Sequence, residues 1–137
     1  LLVAAVLLAP FLVVIAAKLQ RRRLRRRAPT PLARIRGGWQ EFEDAVLDHG
    51  LSLAASSTRS EVAAVAGGGR SQVLAAVADR AVFAPGDPDA AEAERVWRTV
   101  EELQAALDDG LGRWQRLRAR VSVRSLGGYS VRRLFKR

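Results

Sequence analysis

The chain has no cysteine, no methionine and a single histidine in 137 residues. Without cysteine there is no disulfide, no thiolate metal site and no cysteine nucleophile. His49 stands alone, and general-base work needs a nucleophile or a water held beside the imidazole; no such partner pattern accompanies it. His49 precedes Gly50, which reads as a residue at a helix C-terminus, where a cationic ring is favoured. Acidic residues are missing before Glu41 and after Asp109. The pairs Glu101-Glu102 and Asp108-Asp109 are adjacent, so on a helix they splay about 100° apart and suit solvent better than a shared metal. Gly67-Gly68-Gly69-Arg70-Ser71 lacks the lysine and the spacing of a phosphate-cradling loop, and it reads as a connector. No internal repeat and no strand pattern occurs. No cofactor, metal or small-molecule substrate is expected.

Present instead is an uninterrupted apolar run, Leu1 to Ala17, followed by Lys18, Arg21, Arg22, Arg23, Arg25, Arg26 and Arg27. Backbone groups tolerate hydrocarbon only when they satisfy one another, so the run reads as a helix leaving a membrane into fixed positive charge. Seventeen residues at 1.5 Å rise span roughly 25 Å, slightly short of a roughly 30 Å hydrocarbon core. Snorkelling of Lys18 and Arg21 closes part of the gap. The run begins without preceding basic residues, so the expectation is a helix truncated at its start. A secretory signal would carry its charge before the apolar part, and here the order is reversed. The positive-inside bias puts the arginine side, and residues 28–137, in the cytoplasm.

Charge falls in three blocks. Residues 1–27 carry seven basic and no acidic groups, residues 28–112 seven basic and fourteen acidic, and residues 113–137 nine basic and no acidic. An acidic middle between basic ends suits a body held near an anionic leaflet. The seven basic residues from Lys18 to Arg27 are the expected headgroup contacts. Arginine clusters bind phosphates of any kind, so a basic nucleic-acid-binding helical protein is the alternative. Beside an apolar run the nearest phosphates belong to lipid, and nucleic acid is the less favoured partner. Other membrane helices, of the same or a neighbouring protein, are further possible partners of the span.

The rest reads as helices. Pro29 and Pro31 break the chain. Leu32, Ile35, Trp39, Phe42 and Val46 share one face of a helix over about 32–49, despite Gly37-Gly38. Thr58-Arg59-Ser60-Glu61 matches a capping box that opens a short helix. A third helix runs over about 71–84, with Val73, Val77 and Ala81 on its stripe and Leu74 and Ala78 beside it. Asp87 is the expected cap of the next helix, with Pro88 at its first position. That fourth helix carries Val96, Val100, Leu103, Leu107, Trp114, Leu117 and Val121 on one seam, with Gly110 and Gly112 inside it. Leu32, Ile35, Trp39, Phe42, Val100, Leu107 and Trp114 are the expected core, and Trp97 lies one position off the seam.

The fold class expected is therefore all-α: a transmembrane helix over 1–19, a basic juxtamembrane linker over 20–31, a cytoplasmic bundle of about four helices over 32–123, and a basic disordered tail over 124–137. Its role is that of a non-catalytic membrane-anchored tail or interaction module.

Trp39 with Gln40-Glu41-Phe42, the Gly50-Leu51 step, Thr58-Arg59-Ser60-Glu61-Val62-Ala63, Ala81-Val82-Phe83-Ala84-Pro85, Ala93 to Trp97, and Arg116-Leu117-Arg118-Ala119-Arg120 to Ser125-Leu126 carry a family likeness. In this order, after a membrane helix and an arginine stretch, the chain resembles the C-terminal membrane helix and cytoplasmic helical domain, of unknown function, of bacterial (especially actinobacterial) membrane-anchored transglutaminase-like proteins. The resemblance implies an extracytoplasmic core, with catalytic cysteine, histidine and aspartate, upstream of this segment. None of that core lies in this chain, so the resemblance transfers no enzymatic residue to it.

Overall fold

The computed structural model describes residues 1–126. Six helices follow one another: α1 (Leu2–Arg26), α2 (Pro31–Asp48), α3 (Arg59–Ala66), α4 (Gly69–Phe83), α5 (Ala90–Asp109) and α6 (Arg113–Val121), with no strand among the described residues. The all-α class with one long apolar N-terminal helix is thus what the chain adopts. The part of the expected tail beyond residue 126 lies outside the described residues; residues 124–126 form a helical turn.

Helix α2 is the centre of the bundle, with α1 on one side and α4 and α5 on the other. Pro31 sits in its first turn, and the Thr30 hydroxyl accepts from the Ala33 N–H at 3.1 Å, satisfying one of the free donors there. Ile35, Trp39, Phe42 and Val46 are buried, as their spacing predicts. They meet Leu74, Ala75 and Ala78 of α4 and Ala93, Val96, Val100 and Leu103 of α5 in one cluster, with Leu32 and Leu107 half-buried against it.

The glycine pair inside α2 has a packing reason. A Cβ on Gly37 would lie 2.8 Å from the Cβ of Arg25 in α1, and one on Gly38 would lie 3.1 Å from Cγ1 of Val96 in α5. Glycine costs roughly 1 kcal/mol in a helix interior against alanine. Here it lets two helices approach α2 from different sides.

Helix α3 opens with the full capping box of Thr58 and Glu61 that the sequence predicts. Gly67 and Gly68, both near φ +80°, turn the chain into α4. The expected stripe of α4 holds in part: Ala81 is buried and Val77 is half-buried against the core, while the row beside it goes fully inward. Leu74, Ala75, Ala78 and Ala81 are buried, whereas Val73 is exposed. Ala75, Ala78 and Ala81 on that face allow a closer backbone approach than a valine row permits, and Val73 is left outside.

Two further expectations are corrected. Asp89, and not Asp87, caps α5: its carboxylate accepts from the Glu92 N–H at 2.7 Å, and Pro88 precedes the cap. The long fourth helix is two helices. It ends at Gly110 and restarts after Gly112, whose ψ of 166° is extended. Two glycines within three residues remove about 2 kcal/mol of helix preference, enough to break the seam where no packing bridges it. Beyond the break Trp114 is 83% exposed, so it leaves the core assigned to it, and Trp97 takes the place with 1% exposed. The Trp97 indole N–H donates to the Arg34 carbonyl at 3.0 Å.

Candidate membrane-anchoring site and its charged collar

Helix α1 is unbroken from Leu2 to Arg26, about 37 Å at 1.5 Å per residue. Pro10 lies within it. The segment expected to be a basic linker is helical as far as Arg26, and the chain is irregular only over 27–30 before α2 begins. Residues Leu1 to Val13 are exposed, and contact with the body begins at Val14 and Ile15. The helix is long and apolar enough to cross a membrane, with none of its most apolar stretch buried in the fold. A soluble monomer rarely leaves an apolar surface of this size in water.

The basic half of α1 lies against carboxylates in two ranks. Toward α2, the Lys18 ammonium donates to Asp48 at 2.7 Å, Arg21 lies 3.1 Å from Asp44, and Arg25 reaches Glu41 at 3.0 Å and Asp44 at 2.6 Å. Toward α5, Arg22 lies 3.2 Å from Glu101, and Arg26 pairs with Glu101 and with Glu94. As α1 numbers rise, the α2 and α5 partners fall, so α1 runs antiparallel to both. Lys18, Arg21 and Arg25 are spaced 3 and 4; Glu41, Asp44 and Asp48 are spaced 3 and 4 as well. Each triplet forms one stripe of its helix, and the stripes face each other.

The first rank is dry and the second wet. The Arg25 side chain is 8% exposed, while that of Arg26 is 37% exposed. Burial raises the Asp44 carboxyl above the usual carboxylate range, and the charge and hydrogen bond of Arg25, followed by the charge of Arg21, oppose the rise. Arg26 also lies over the Trp97 ring, 5.5 Å from its centroid.

The seven basic residues expected at lipid headgroups are therefore divided. Lys18, Arg21, Arg22, Arg25 and Arg26 are engaged by carboxylates of the same chain. Arg23 and Arg27 are exposed and make no ion pair among the described residues. Glu41, Asp44 and Asp48 lie off the apolar face of α2, and their match in spacing to Lys18, Arg21 and Arg25 is the signal that finds them as partners.

His49 caps α2. Its Nδ1 lies 2.6 Å from the Ala45 carbonyl and its Nε2 lies 2.7 Å from Asp108 of α5. Nδ1 thus fixes the ring on its own helix and Nε2 ties the end of α2 to that of α5, beside a cleft of about 460 Å³ at the Lys18–Asp48 junction. Among the described residues no three His, Asp or Glu side chains converge as metal ligands. Comparison of the chain with protein-family models, with curated proteins and with solved structures gives no match.

Proposed function

We propose that the chain is a membrane-anchored, non-catalytic interaction module, with α1 as its span and the helical body on the cytoplasmic side. The observation that carries this reading is the change along one continuous helix, from an uncovered apolar half to a half clamped by carboxylates. Orientation depends on the count of lysine and arginine near the span, to which acidic residues contribute little, so the ion pairs do not cancel the inward bias. Arg23 and Arg27 supply the headgroup contact. The same ion pairs weaken the nucleic-acid alternative, because they occupy five of the seven cations that would meet phosphates.

The reading includes the family likeness: the chain serves as the cytoplasmic end of a transglutaminase-like membrane protein, whose chemistry belongs to a segment outside this sequence. An in-frame transglutaminase-like core encoded directly upstream supports that part, and an unrelated upstream frame removes it.

Membrane fractionation with C-terminal reporter fusions tests the anchor. The expected result is resistance to carbonate extraction, a fluorescent fusion that matures and an alkaline phosphatase fusion that stays inactive. Release by salt together with RNA or DNA, or an active phosphatase fusion, overturns the reading.

A further inference from the structure

Besides the uncovered half of α1, helix α6 turns an apolar stripe away from the body. At 100° per residue, Trp114, Leu117 and Val121 fall on one side of the helix, and Ala119 falls nearly opposite. Ala119 is the buried residue of α6, whereas Trp114 is 83% and Leu117 49% exposed. The stripe is flanked by Arg118 on one edge and by Arg113 and Arg120 on the other, all exposed. No acidic residue lies beyond Asp109.

The position of α6 matches this chemistry. The Lys18 ammonium donates to the Ala119 carbonyl at 3.2 Å, and Arg21 donates to the Ser125 hydroxyl at 3.3 Å. Asp48 accepts from both the backbone N–H and the hydroxyl of Ser125, at 3.2 and 3.1 Å. These bonds hold α6 and the turn after it at the level of Lys18–Arg21, where the apolar half of α1 ends. The C-terminal ends of α2 and α5 reach the same level, because both run antiparallel to α1.

We propose that α6 is a second membrane contact: an interfacial helix that seats Trp114 and Leu117 at the headgroup–acyl boundary of an anionic leaflet, with Arg113, Arg118 and Arg120 on the lipid phosphates. A tryptophan ring suits that depth, being apolar over its body and polar at its N–H. Amphipathic helices bind this way by apolar area and by attraction to anionic lipid together. The proposal rests on α1 being the span, which brings the bilayer surface to α6.

The test uses the full chain reconstituted in vesicles of phosphatidylcholine with phosphatidylglycerol, and in vesicles of phosphatidylcholine alone. Tryptophan emission is read against lipids brominated near the headgroup end of the acyl chain. Trp39 and Trp97 are buried in the body, so Trp114 is the responsive ring. Expected are quenching in anionic vesicles, its loss in Trp114→Phe, and a fall of about twofold or more in Arg113→Gln/Arg118→Gln/Arg120→Gln. Equal quenching of wild type and Trp114→Phe in vesicles that carry the protein overturns the inference and leaves the anchor standing. Equal quenching in neutral and anionic vesicles, or shielding of Trp114 by duplex DNA in place of lipid, overturns it too. A chain that fails to float with the vesicles overturns the anchor and, with it, this second contact.

Discussion

Replacing Arg25 by methionine keeps an unbranched stem and removes the charge that faces two buried carboxylates. Glu41 and Asp44 are each about nine-tenths buried, and Arg25 lies within 3.0 Å of both. Breaking a buried pair costs about 3–5 kcal/mol, because the surviving charge is left without compensation. Arg21 remains 3.1 Å from Asp44, so the lower end applies, about 3 kcal/mol. With a urea slope of about 1.5 kcal/mol per molar, that moves the unfolding midpoint down by about 2 M. The assay is urea unfolding of the full chain in detergent micelles, followed by the emission of buried Trp97. Its pH dependence carries the mechanism. Asp44 already titrates above its unfolded value, so its contribution is complete below that value and is lost as pH rises through the folded one. Removing Arg25 raises the folded value further. The deficit of the variant is therefore largest near neutrality and shrinks as pH falls and the carboxylate takes up a proton. Arg26→Met is the control: its guanidinium is 37% exposed, and solvent screening limits the loss to about 0.5 kcal/mol. A deficit under about 1 kcal/mol for Arg25→Met, or one that grows on acidification, would refute the buried-rank account.

Gly37→Ala adds helix propensity yet should lower stability by about 1–3 kcal/mol, because its Cβ would meet Arg25 at 2.8 Å; denaturant titration showing stabilisation refutes the close approach. Trp97→Phe should cost about 1–3 kcal/mol through the orphaned Arg34 carbonyl and lost volume, while Trp114→Phe should stay within about 0.5 kcal/mol in detergent. Equal losses at the two tryptophans would return Trp114 to the core. Leu74→Ala should cost about 2–5 kcal/mol and Val73→Ala less than about 0.5, read as the shift of the thermal midpoint; the reverse order would restore the sequence-derived stripe of α4.

Much of this architecture is legible from one-dimensional patterns, for reasons that differ by element. Helix α2 was readable because Pro31 starts it and Ile35, Trp39, Phe42 and Val46 mark its face. Helix α3 was readable because a capping box is a local device, complete within Thr58 to Glu61. The face of α4 was legible in part, with Ala81 and Val77 inward and Val73 not, since alanine bridges polar and apolar periodicities and only its neighbours decide which row is inward. The seam through Gly110 looked continuous because heptad spacing survives a break that keeps the phase. The ladder between α1 and α2 was hidden in another way. A charge stripe on one helix reads as a solvated face until its complement, some twenty residues later, is compared with it spacing for spacing.

The continuity of α1 from its uncovered apolar half to its clamped basic half has a mechanical consequence for the proposed anchor. A domain hung on a flexible tether reorients freely, whereas here one rod serves as both mast and keel. A 10° change in the inclination of α1 sweeps a point 30 Å along the body through about 5 Å, and inclinations of such helices respond to bilayer thickness and to neighbouring spans. With α1 as the proposed span, lipid composition becomes a lever on where the helical body points.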